Sequence, residues 1–150
     1  MTTASDIEAA DRLTRRRARA LPVLAILFLS QQATYFAGRI DDPTRTVDQL
    51  KIGAWLVLSV ILLIGLGTGG FWLKPKRVRA LMEDEVTREN RRSAYAMGFW
   101  TMAGTAIGLY VVTMFDTVSG REAVHIILTA AVAAALLTFG LLERRALKDG

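Results

Sequence analysis

Four long stretches without a charged residue set the limits for this chain: residues 20–38, 52–73, 93–115 and 123–142. At helical rise, about 20 residues cross a hydrocarbon layer of roughly 30 Å. All four stretches meet that length. A water-soluble helix of a 150-residue chain needs polar residues every few positions on its outer face. The run from Ile52 to Ile64 offers only the indole N–H of Trp55 and the hydroxyl of Ser59 for side-chain hydrogen bonding. The pattern predicts an all-α fold, an integral membrane four-helix bundle in up-down-up-down order. It forms a single four-pass transmembrane domain over residues 1–150.

Charge placement predicts orientation. Arg12, Arg15, Arg16, Arg17 and Arg19 precede the first stretch, and Lys74, Lys76, Arg77, Arg79, Arg88, Arg91 and Arg92 lie between the second and third. Arg144, Arg145 and Lys148 follow the fourth, while Arg39, Arg45, Lys51 and Arg121 occupy the other two connections. The positive-inside rule then places both termini and the central loop in the cytoplasm. Short loops and a basic cytoplasmic side suit a bacterial inner membrane. The net charge of +5 is accounted for by topology and by contact with anionic lipid, so no nucleic-acid partner is expected. The first stretch is longer than a secretory signal core and lacks a small-residue cleavage site, so it is read as a retained helix.

The connections carry local signals. Ser119 with Glu122 has capping-box spacing and predicts the start of helix four. Asp48 or Thr46 is expected to cap helix two. After Pro75, the residues Val78, Leu81, Met82 and Val86 recur at helical spacing. They predict a short cytoplasmic amphipathic helix between helices two and three, with a continuous extension of helix three as the alternative. Glu83, Asp84 and Glu85, with Arg88, form an acidic-basic surface suited either to helix solubility or to docking a cytoplasmic partner.

Polar and small residues within the stretches supply the other candidates. Gln31, Gln32 and Tyr35 in helix one, and His125 in helix four, form a candidate ligand-binding set near the outer side. Their structural alternative is interhelical hydrogen bonding. Gly98, Gly104 and Gly108 in helix three, and Ala130 and Ala134 in helix four, are candidate helix-packing positions.

Chemistry is constrained mainly by absences. There is no cysteine, which excludes thiolate catalysis and cysteine-bound metal. No carboxylate lies inside a stretch, which argues against proton-coupled export. His125 is the one histidine. Neither a catalytic residue, a metal nor a cofactor is predicted. Asp116, Glu122 and His125 are the only trio that an enzyme acting on lipid would use. The leading expectation is a non-catalytic subunit, structural or regulatory, held in a larger membrane assembly or a homo-oligomer. The alternative is a transporter or ligand-binding protein with an outer-leaflet polar pocket.

Overall fold

The computed structural model describes residues 4–37, 46–68 and 85–149. These residues form four α-helices, and no strand occurs among them: α1 Ala4–Ala37, α2 Thr46–Gly67, α3 Glu85–Val112 and α4 Gly120–Asp149. Two of them, α3 and α4, are long and apolar enough to cross a membrane, while α2 carries a shorter apolar run over Ile52–Gly67.

The helices outrun the charge-free stretches. The 34 residues of α1 extend about 51 Å at helical rise, and its first half contains all five arginines of the N-terminal arm. Hydropathy delimits the lipid-compatible part of a helix. The backbone i→i−4 ladder continues through Arg and Glu, which are good helix formers. The same reason corrects the expected boundary of helix three. Residues 85–92 are the first turns of α3, continuous with its apolar part, as the alternative of an extended helix three expects for these residues. Residues 75–84 of the expected amphipathic helix, with Glu83 and Asp84, lie outside the described residues.

Three helix ends carry described local bonds. At the start of α4, Ser119 Oγ accepts from Glu122 N at 3.2 Å, and Ser119 N donates back to Glu122 Oε2 at 2.9 Å. This is the reciprocal capping box that the Ser119–Glu122 spacing implies. At its C-terminal end, α3 tightens: Met114 N donates to Val111 O and Phe115 N to Val112 O. Arg91 Nη1 donates to Gly67 O at 3.2 Å, placing a cation on the carbonyl end of α2.

The central element is α4, which packs most extensively against α3 and α1 and more lightly against α2. The α1–α4 pair is antiparallel: Arg17 meets Glu143 at one end, and Gln32 meets His125 at the other. Pro22 lies between them against Gly140. A methyl group built on Gly140 would sit 2.7 Å from Pro22 Cδ and 2.8 Å from Cγ, so only a glycine admits the proline ring here. α3 also runs antiparallel to α4, with Asn90 near Glu143 and Gly98 against Ala135. Ala25, Phe28, Leu62, Leu66, Ala94, Leu136 and Phe139 form the main buried apolar contacts.

The outward surface is mostly apolar. Ile26, Leu27, Leu56, Val57, Ile61, Phe99, Ile107 and Tyr110 are all exposed, and Trp100 is 70% exposed. Contiguous apolar surface beyond a few hundred Å² marks a surface that water does not normally cover.

Candidate functional site

Two buried polar clusters clamp the helices, one at each end. The first surrounds His125. His125 and Thr129 stand one turn apart and share a face of α4. The His125 ring stacks on Trp55 of α2, with centroids 4.1 Å apart and planes 27° from parallel. Trp55 Nε1 donates to Thr129 Oγ1 at 3.2 Å. From α1, the carbonyl oxygen of Gln32 accepts from His125 Nε2. A carbonyl oxygen only accepts, so with the amide oriented this way the proton is assigned to Nε2. Ser59 Oγ donates to Trp55 O at 2.8 Å and leaves no polar side-chain demand on that face of α2. His125, Gln32, Trp55, Ser59 and Thr129 are all buried. The cluster therefore joins α1, α2 and α4 through protein-to-protein bonds.

Of the ligand-binding set, the structure brings together Gln32 and His125. Gln31 is half-buried beside them and is itself engaged. The side chain of Tyr35 lies outside the described residues. Asp116, Glu122 and His125 do not assemble: Asp116 Oδ1 accepts from Thr117 N, Glu122 closes the capping box, and His125 turns inward to Gln32. Among the described residues, no three His, Asp or Glu side chains gather as a metal centre requires.

The second cluster lies at the basic end. Arg17 forms an ion pair with Glu143, both side chains being almost fully buried. Arg17 Nη2 also donates to Thr87 Oγ1 at 3.3 Å, and Asn90 Nδ2 donates to Glu143 Oε1 at 3.3 Å. The guanidinium stands 5.2 Å from the centre of the Phe139 ring, one turn before Glu143 on α4. This arrangement ties α1, α3 and α4 together where the chain is otherwise most charged.

From the sequence, Arg17 reads only as a topological charge, and Glu143, just beyond the fourth stretch, draws no notice. A signal was present. On a helical wheel Arg17 shares its face with Leu21, Phe28 and Gln32, away from Arg12, Arg16 and Arg19.

The packing candidates divide. Gly98 is buried, and an added methyl group would meet Ala131 O and Ala135 Cβ, each at 3.2 Å. Gly104 and Gly108 face open space, with nothing within 4 Å of such a group. Ala130 and Ala134 are half-buried, whereas Ala133 and Ala135 are buried. Glu85 and Arg88 are exposed on the first turn of α3. Comparison with protein-family models, curated proteins and solved structures gave no match to this chain.

Proposed function

We propose that this chain is a small four-pass membrane subunit without catalytic chemistry, whose α3 packs against a second membrane helix from a partner protein or another copy. The observation that carries the reading is the uncovered outer half of α3. Between Phe99 and Val112 no residue of α3 is buried, and Gly104 and Gly108 present a bare backbone strip there. Small residues one turn apart let a second helix backbone approach closely, and van der Waals contact then provides the attraction that lipid cannot. The exposed apolar side chains on α1, α2 and α3 support lipid as the surrounding solvent. With lipid around an up-down-up-down bundle, the positive-inside rule favours a cytoplasmic Arg17 end, with an inner bacterial membrane as the setting.

The ligand-binding alternative draws on one observation, the meeting of Gln32 and His125. Their mutual bond, together with the Trp55 stack and the Thr129 bond, favours a structural role for that cluster, because these groups find protein partners.

The test is native-level expression, extraction in mild detergent, and identification of co-purifying chains, with particle mass measured by light scattering. The expected result is a reproducible partner or a defined oligomer, lost in Gly104→Leu/Gly108→Leu while helix content is retained. A monodisperse single chain in the unsubstituted protein refutes the subunit reading.

A further inference from the structure

A shallow, solvent-open groove runs along one stripe of α1, lined by Arg12, Arg15, Arg16, Arg19, Ala20, Val23 and Leu24. Arg12, Arg15, Arg16, Arg19 and Val23 point away from the packed face of α1, on which Arg17, Ala18, Ala25, Phe28 and Gln32 are buried, while Ala20 and Leu24 flank that face. The two halves of the stripe differ in chemistry. Four guanidinium groups occupy the first two turns, over about 10 Å of helix axis. Beyond them the same stripe becomes wholly apolar, and the exposed Ile26 and Leu27 continue it.

We infer that this stripe is a binding site for an anionic phospholipid, with phosphate held by the arginines and an acyl chain laid along Val23, Leu24 and Leu27. The inference rests on the membrane reading above and adds a defined site to it.

Charge complementarity identifies the headgroup. Arg12–Arg15, Arg12–Arg16, Arg15–Arg19 and Arg16–Arg19 all stand at three- or four-residue spacing, where like charges repel. Among the described residues none of these four forms a salt bridge, and Glu8, one turn further out, makes none with them. Guanidinium forks match phosphate oxygens in geometry as well as in charge. A span of about 10 Å accommodates two phosphates, which favours a diphosphatidyl headgroup over a single-phosphate one. The apolar continuation distinguishes a lipid from a free phosphate, which would need only the arginines. It also distinguishes a lipid from an acidic peptide, whose backbone would be left unsatisfied against Val23 and Leu24.

The experiment is native mass spectrometry of the full chain in neutral detergent, titrated with cardiolipin, phosphatidylglycerol, phosphatidylcholine or inorganic pyrophosphate. Cardiolipin should bind most tightly and phosphatidylcholine least. Each arginine near an anionic lipid contributes about fivefold in affinity, so Arg15→Gln/Arg16→Gln should weaken cardiolipin binding about 25-fold. Arg144→Gln/Arg145→Gln, a change of equal charge on the exposed tail of α4, should weaken it less than threefold, roughly. Val23→Ser/Leu24→Ser should weaken cardiolipin but not pyrophosphate. All of these positions are exposed, so unchanged circular dichroism is the expected folding control. Equal losses from the α1 and α4 variants would overturn the site in favour of diffuse charge. Pyrophosphate binding as tightly as cardiolipin, or phosphatidylcholine binding equally, would overturn the lipid assignment. The membrane reading fails separately, if the chain remains in the aqueous fraction without detergent.

Discussion

Replacing Glu143 with glutamine isolates the contribution of the ion pair, because the substitution keeps shape and removes charge. Arg17 retains only 6% of its exposure and Glu143 2%, so water cannot enter to solvate the remaining guanidinium. Removing one member of a buried pair costs about 3–5 kcal/mol. The carbonyl oxygen of the introduced amide can still accept one bond from Arg17 or Asn90, which returns about 1 kcal/mol. The net expectation for Glu143→Gln is a loss of about 2–4 kcal/mol. Arg17→Met should cost a similar amount, since it strands the carboxylate with only Asn90 as a described donor. Arg17→Met/Glu143→Met should recover most of the loss, because two apolar side chains carry no desolvation penalty beside Phe139. The assay is reversible unfolding in mixed micelles with rising dodecyl sulfate, followed by circular dichroism. The double-mutant cycle should give a coupling above about 2 kcal/mol. Single losses below about 0.5 kcal/mol with an additive double would refute the reasoning. That outcome would mean the pair is hydrated and the α1–α4 contact at this end is loose.

Three further predictions test other parts of the structure. Gly140→Ala should destabilise by about 1–3 kcal/mol, because the rigid Pro22 ring cannot move aside, and Pro22→Ala in the same chain should recover part of that loss in the unfolding assay. His125→Ala should cost about 2–4 kcal/mol by leaving Gln32 Oε1 buried without this donor and uncovering the Trp55 face; a red shift in tryptophan emission would accompany it, and unchanged emission would count against the stack. Ser119→Ala should cost about 1 kcal/mol through the lost capping box, while Ser119→Asp should retain stability in thermal melts.

Different levels of the molecule were legible to different degrees. The capping box at Ser119 and Glu122 could be read directly, since both partners lie within one turn and the bonds need only local backbone geometry. Gln32 and His125 were recognisable as polar groups in apolar helices, but their partners were not. A residue pair 93 apart in sequence is joined only by the register of α1 against α4. The glycines show the same division. Gly98, Gly104 and Gly108 were all candidate packing positions, with Gly104 and Gly108 the better-spaced pair, yet the crossing with α4 covers Gly98 and leaves the other two open.

By itself the sequence determined what each segment can be: helical, apolar over long runs, and charged predominantly at one end. Those properties follow from residue type and from spacing along one helix, which the chain carries before it folds. Tertiary structure alone decided which of five neighbouring arginines turns inward. It also decided that Glu143 meets Arg17 and that Gly140 receives Pro22. The reason is physical: helix rotation and register are set by the joint packing of several surfaces, and no single segment contains that information.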